Sequence, residues 1–166
     1  MGDMKNLSGD AAVEKLKQIA ENATCLFCTH NVEEIVSRPM STMGIEEDGT
    51  LWFFSSRHSA KNIQIGKESK VYLMYADSSK QHYLSLTAHA QVVKDPQKID
   101  ELWTPLAKGW FEEGKNDPDL TLLKVRPDEG HYWDTKNGKL VSLLKIAGAA
   151  LTRINTDAGV EGSMKL

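Results

Sequence analysis

Residues 37–61, with the sequence SRPMSTMGIEEDGTLWFFSSRHSAK, combine two extended runs, a tight acidic turn and the start of a helix. Asp48-Gly49 is a strong two-residue turn signal because both residues tolerate positive φ. It predicts a β-hairpin between the run around Arg38 and the aromatic run that follows the turn. Pro39 is barred from central ladder positions, so it predicts an edge, a bulge or a strand start. This segment therefore predicts a fold based on a β-sheet.

The end of the same segment has the composition of an anion site. Arg57, His58, Ser59 and Lys61 stand where a helix is predicted to begin. Hydroxyls, cations and free backbone N–H groups at a helix start bind phosphate well. The alternative is an ordinary hairpin followed by solvated basic residues, which are common at protein surfaces. Spacing alone leaves both interpretations open.

The remaining pattern predicts a single domain, 1–166, that is mainly β with peripheral helices (α+β). Residues 82–93 form the longest predicted strand, because Tyr83, Ser85 and Thr87 alternate with apolar residues and so predict one polar and one apolar face. The other predicted elements are helices at about 10–22, 59–65, from 95 onward and 140–151, strands at 23–30, 70–76, 120–125 and 130–134, and a loosely held tail at 155–166. Six or seven strands of this kind predict a small barrel.

Composition excludes several classes of protein. The net charge of -3 argues against nucleic acid as the main partner. No apolar run approaches the ~20 residues that cross a bilayer, and the N-terminus lacks a secretory signal, so a cytoplasmic location is expected. Cys25 and Cys28 are three apart on a predicted strand and face opposite sides, which favours buried, inert thiols over a redox pair or half a zinc site.

Familiar catalytic motifs are absent from the sequence. It contains no glycine-rich dinucleotide or Walker loop and no G-x-S-x-G elbow. The five histidines lack close ligand spacing, so no metal site is predicted. Trp52 and Trp103 are predicted to lie in the core. Trp110 and Trp133 lie in or beside loops, where a large ring serves either packing or ligand stacking.

Four stretches of the chain together resemble a known family. SRPMSTM, TLWFFSS-x-x-S-x-K-x-x-x-I, YLSLTAHAQVV and LWTPLAKGWFEEGKNDPDLTLLKVRPDEGHYWDTKNGKL resemble the general stress protein 26-like branch of the pyridoxamine 5′-phosphate oxidase-like superfamily. The resemblance runs from about residue 10 to the tail. It implies a six- to seven-stranded antiparallel split β-barrel that binds FMN at the interface of a homodimer.

The resemblance also implies which residues contact the cofactor. The strand around Arg38 would run along the flavin, Ser59 and Lys61 would hold its phosphate, and Trp133 would reach it from the partner chain. The implied cofactor-binding residues are Arg38, Pro39, Met40, Ser41, Thr42, Phe54, Ser55, Ser56, Ser59, Lys61, Tyr83, Ser85, Trp110 and Trp133.

Departures from the family pattern bear on the activity. In pyridoxamine-phosphate oxidases proper, an arginine of the cofactor's phosphate-binding segment stands where this chain has Ala60, and Arg57 or His58 is an alternative cation here. Those enzymes also have a lysine in place of Met43 and an arginine-and-histidine substrate motif after the tryptophan, whereas no arginine or histidine follows Trp133 in DTKNGKL. A substrate phosphate would lack cationic partners, and an unpaired buried charge is costly. The resemblance therefore implies an FMN-dependent oxidoreductase of unidentified substrate, and not vitamin B6 oxidation. The alternatives are a flavin-binding module for storage or sensing, and a split barrel that uses haem or deazaflavin.

Overall fold

The computed structural model describes residues 3–135 and 159–166. It contains three α-helices, which are α1 (Asp10–Ala20), α2 (Ala60–Lys67) and α3 (Pro96–Leu102), and two short 3₁₀ segments, Pro105–Gly109 and Gly114–Asn116. The strands are β1 (Asp3–Met4), β2 (Leu7–Ser8), β3 (Thr24–Asn31), β4 (Glu34–Ser41), β5 (Gly44–Ile45), β6 (Leu51–Ser56), β7 (Lys70–Asp77), β8 (His82–Val93), β9 (Leu120–Thr135) and β10 (Gly159–Lys165).

The long strand β9 organises the sheet. It pairs with β8 along one edge, and along the other edge it pairs first with β6 and then with β10. From β8 the sheet continues through β7 and β3 to β4 at the far edge, always antiparallel. The predicted mainly β split barrel with peripheral helices is confirmed. The sheet is mixed rather than wholly antiparallel, because the short strands β1 and β2 run parallel to β10.

The strand pairing predicted for the hairpin within residues 37–61 is wrong. The strand that carries Arg38 pairs with β3, opposite Phe27, and within residues 37–61 only the two-residue β5 pairs with β6. The pairing partner of the chain changes between Thr42 and Met43. The Thr42 N–H donates to the Ala23 carbonyl, whereas the Met43 N–H donates to the Trp52 carbonyl on β6. The acidic turn does form, with Gly49 at a φ of 85°. Pro39 lies on the edge strand, where a residue without an N–H is tolerated.

The C-terminal third also differs from its sequence pattern. The turn predicted at 126–129 lies inside β9, where Asp128 is an extra residue opposite the Thr87–Ala88 step of β8. Such a bulge bends a strand without ending it, so Pro127 does not mark a turn here. The tail predicted to be loose contains β10, which pairs with β9 along its length and buries Met164. The predicted helix at 140–151 lies outside the described residues.

The core follows the alternation seen in the sequence. Leu84, Leu86 and Ala88 of β8 are buried, and Leu16 of α1 packs into the same cluster. Trp52 anchors a second cluster with Ile99 of α3, and the half-buried Trp103 packs against it.

Both cysteines are free and buried. Burial raises the pKa of Cys25 to about 12, which keeps its thiol protonated at neutral pH. Within the described residues, the model contains no helix with the length and apolar character of a membrane span.

One carboxylate fastens the end of β9 to its neighbours. Asp134 lies 2.7 Å from Lys15 Nζ on α1 and 2.8 Å from His82 Nε2 on β8. Burial raises the pKa of Asp134, but hydrogen bonds from Lys15 and the Thr135 N–H, together with nearby positive charge, outweigh this effect and hold the pKa below its usual value.

This lowered pKa predicts acid sensitivity. A carboxyl whose folded pKa is depressed contributes stability above its unfolded pKa, about 4, and loses it as the pH falls through the folded pKa. We expect the difference in free energy of unfolding between the wild type and Asp134→Asn to shrink below about pH 4. Urea denaturation at neutral and acid pH measures this difference. Asp10→Asn, at the exposed start of α1, is the control, and an Asp134 effect that is equal at both pH values would contradict the prediction.

Candidate functional site

The guanidinium of Arg38 is held in place where β3, β4 and α2 meet. Its Nη1 donates to Thr29 Oγ1 at 2.6 Å, and its Nη2 donates to Gln64 Oε1 at 3.2 Å. Thr29 Oγ1 in turn lies 2.5 Å from Gln64 Oε1 and donates to it. The described residues use two of the five N–H donors of Arg38 in this way, so the others remain for a ligand.

Lys61 lies in the first turn of α2, beside this guanidinium. Gln64 is three residues further on, so both side chains share one face of the helix. Ser59 is the N-cap of α2, and its hydroxyl accepts from the Asn62 N–H at 3.4 Å. The first N–H groups of a helix have no partner within the helix. Lys61 therefore stands at the positive end of α2, and Arg38 contacts the helix through Gln64.

The electrostatics of this corner favour an anion. Burial, and next the positive charge of Arg38, lower the pKa of Lys61 below its ordinary value. Burial also lowers the pKa of the Arg38 guanidinium. The ion pairs found among residues 3–135 and 159–166 include neither cation. Two partly buried positive charges thus lie near each other, and no carboxylate in the described part of the chain pairs with either.

A buried polar network holds the start of α2 against the sheet. Ser55 Oγ donates to Asn62 Oδ1 at 2.5 Å, and Asn62 Nδ2 donates to Thr121 Oγ1 at 3.1 Å. Thr121 Oγ1 closes the network by donating to the Ser55 carbonyl at 2.8 Å. These bonds tie α2 to β6 and β9. Because the Ser55 hydroxyl donates to Asn62 and is buried, this side chain positions the helix start.

The structure separates other predicted site residues from this corner. Phe54 points away from Ser55, since neighbouring strand residues face opposite sides, and its ring packs against Trp103 and Phe111. Met40 and Thr42 are buried, and the Thr42 hydroxyl is bonded to Tyr75. Ser56 lies at the end of β6, where its carbonyl accepts from the Ser59 N–H, and Trp110 lies after a 3₁₀ segment with 76% of its surface exposed.

A third group of predicted residues lies on the outer face of the sheet, turned away from the core. Tyr83 and Trp133 are directly opposite each other on β8 and β9, and each is 39% exposed. The ring of His131 lies 4.5 Å from that of Trp133. Strand alternation places Ser85, Pro39 and Ser41 on this face, together with the half-exposed side chains of Leu26 and Met74. We call Leu26, Met74, Tyr83, Ser85 and Trp133 the outer aromatic face.

Sequence reasoning missed three residues around Arg38 and Lys61, namely Thr29, Gln64 and Asn62. Thr29 is fully buried although it is polar, and its inward position on β3 was a usable signal. Gln64 lies one helical turn after Lys61, which also signals a shared face. Asn62 is buried by residues of β6 and β9, and no local pattern indicates this.

The fold defines a split β-barrel protein, in which two partly buried cations, Arg38 and Lys61, lie near each other beside α2. The family model described as pyridoxamine 5′-phosphate oxidase like matches residues 11–157. The chain belongs to this family. No curated protein matches the chain significantly.

Solved structures give the same assignment at the level of the fold. A structure named as general stress protein 26 from Jannaschia sp. CCS1 is 24% identical, with a TM-score of 0.74 over 93% of this chain and 96% of that one. General stress protein 26 from Bacillus anthracis str. Sterne is 23% identical, with a TM-score of 0.65 over 72% of this chain and 92% of that one. A general stress FMN/FAD binding protein from Xanthomonas citri is 28% identical, with a TM-score of 0.65 over 74% and 87%. These neighbours share the fold of this chain.

Proposed function

We propose that this chain binds FMN, with the phosphate at the Arg38–Lys61 corner, and acts as an FMN-dependent oxidoreductase in a homodimer. The observation that carries the proposal is the pair of partly buried cations beside α2, neither of which forms an ion pair with a carboxylate of the described residues. The name of the Xanthomonas citri neighbour, which includes FMN/FAD binding, supports a flavin as the ligand.

The chemistry of the corner matches a phosphate monoester. An arginine fork and an ammonium group form charge-assisted hydrogen bonds to phosphate oxygens, and these are stronger than neutral ones. The N–H groups at the start of α2 add further donors. A dianion would neutralise both cations, and so it would offset the burial and the repulsion from Arg38 that together lower the pKa of Lys61.

The homodimer is proposed from the outer aromatic face. Leu26 and Met74 are about half exposed, and they adjoin Tyr83 and Trp133 on the same side of the sheet. Contiguous exposed apolar surface on a folded protein marks an interaction site. Arg38 points to the other side of the sheet, because it is opposite the buried Phe27. Within one chain the outer aromatic face and Arg38 therefore lie on opposite sides of the sheet. In the proposed dimer, a second copy supplies its outer aromatic face to the Arg38–Lys61 corner.

The bound flavin would supply hydride transfer, and the residues of this chain would bind and orient it. Arg38, Lys61 and the start of α2 would fix the phosphate, while Tyr83 and Trp133 would offer flat surfaces for the ring. Met43 provides no cation for a second phosphate. We therefore propose a redox substrate other than pyridoxamine phosphate.

Spectroscopy of the purified protein tests the proposal. We expect titration with FMN to give a bound flavin spectrum, and we expect NADH or NADPH to bleach that spectrum rapidly under anaerobic conditions. The same titration with Lys61→Ala is the matched control for binding. A bound flavin that no nicotinamide bleaches would favour storage or sensing over catalysis. A haem spectrum, or a protein that ignores added FMN, would overturn the proposal.

A further inference from the structure

We propose that Gln64, together with Thr29, positions Arg38 for the phosphate of the ligand, an inference that rests on the proposed function. Gln64 lies one turn after Lys61 on α2, and Thr29 is a fully buried residue of β3. Neither residue belongs to the set that the family resemblance implies. Both are therefore further members of the site, which act through Arg38.

The geometry fixes the plane of the guanidinium. A guanidinium has no acceptor, so the Gln64 atom that faces it is the amide oxygen. That oxygen lies 3.2 Å from Arg38 Nη2 and 2.5 Å from Thr29 Oγ1, and Thr29 Oγ1 lies 2.6 Å from Arg38 Nη1. The three side chains form a closed triangle of hydrogen bonds. An arginine that is already ordered loses less conformational entropy when a ligand binds.

The uncharged amide of Gln64 is as important as its position. A glutamate at this place would hold the same guanidinium, but it would form an ion pair with Arg38 and lie one turn from Lys61. That negative charge would cancel part of the field that attracts the ligand. An amide oxygen orients the arginine while both cations stay uncompensated. The site therefore needs an acceptor without charge at position 64.

Flavin titration of two variants tests the role of Gln64. We expect Gln64→Glu to weaken FMN binding at least tenfold while riboflavin, which has no phosphate, changes by less than twofold. We expect Gln64→Leu to weaken FMN by a smaller factor, because Arg38 keeps its charge and loses its orientation. Gln97→Glu, which makes the same change at an exposed position of α3, should leave both affinities unaltered. Thermal unfolding of each variant shows whether it is folded.

A second readout does not depend on flavin. In ¹⁵N-labelled protein we expect slowly exchanging N–H signals from the Arg38 side chain, assigned with Arg38→Lys, which disappear in Gln64→Leu. Inorganic phosphate should shift these signals in the wild type and not in Gln64→Glu. Equal losses of FMN and riboflavin affinity, or Arg38 signals that do not depend on Gln64, would overturn the positioning role. A phosphate response that depends on Gln64 in a protein that binds no flavin would support the positioning role and overturn the proposed cofactor.

Discussion

Replacing Lys61 with alanine is expected to weaken FMN binding by roughly 1.5–3 kcal/mol, about 10- to 150-fold, because one hydrogen bond to a charged group is lost. Riboflavin binding should remain unchanged, since riboflavin has no phosphate for Lys61 to contact. Titration of flavin fluorescence with the two ligands measures both affinities. Lys67→Ala, at the exposed end of the same helix, is the matched control.

The stability of Lys61→Ala without ligand provides a second test. Because burial and Arg38 lower the pKa of Lys61, folding favours the neutral form of this side chain. The unfolded chain binds more protons at Lys61, so its contribution to stability rises as the pH increases through the folded pKa toward the unfolded value, about 10.4.

We therefore expect unliganded Lys61→Ala to be at least as stable as the wild type at neutral pH. A large loss of stability in this variant, or equal losses of FMN and riboflavin affinity, would show that Lys61 has a structural role and does not bind phosphate.

Introducing a charge at the centre of the outer aromatic face is expected to separate the proposed homodimer. Met74 lies between Leu26 and Ser85 on neighbouring strands and is half exposed in the single chain. A glutamate there would be buried without a partner in the dimer, at a cost that raises the dimer dissociation constant by about 100-fold or more. Sedimentation equilibrium should give twice the chain mass of 18.5 kDa for the wild type and the monomer mass for Met74→Glu.

A matched control is available elsewhere on the surface. Leu106 is 80% exposed in a 3₁₀ segment outside the outer aromatic face, so Leu106→Glu should remain a dimer. The monomeric Met74→Glu chain should lose affinity for riboflavin as well as FMN, since the flavin ring would no longer contact the outer aromatic face of a second copy. This double loss distinguishes it from Lys61→Ala. A wild-type monomer that binds FMN tightly would contradict the proposed site between subunits.

Local patterns in the sequence were sufficient to predict many elements. The alternation of residues 82–93 predicted β8 and its buried apolar face, because side chains on a strand alternate regardless of what surrounds it. Asp95-Pro96 predicted the start of α3, where the Asp95 carboxylate accepts from the N–H groups of Gln97 and Lys98. Ser59 similarly predicted the start of α2. In each case the cause lies within a few residues of chain.

Long-range pairing was not readable from these patterns. A two-residue turn signal at Asp48-Gly49 does not reveal that the Arg38 strand pairs with β3, since pairing depends on which edges are free in the assembled sheet. The bulge at Asp128 exists because β8 continues beside β9 past Pro127, and the tail becomes β10 because β9 offers it a free edge. Strand partners far apart in sequence leave no local signal.

The same distinction between local pattern and long-range pairing applies to the candidate site. The sequence by itself determined that cations and hydroxyls follow β6 at the start of α2, because composition and capping residues are local. Only the tertiary structure decided that Arg38, which comes from β4, approaches Lys61 with Gln64 and Thr29 holding it, and that Phe54 turns away. The physical reason is that the field and geometry of an anion site are produced by side chains from separate elements, which only the folded sheet brings together.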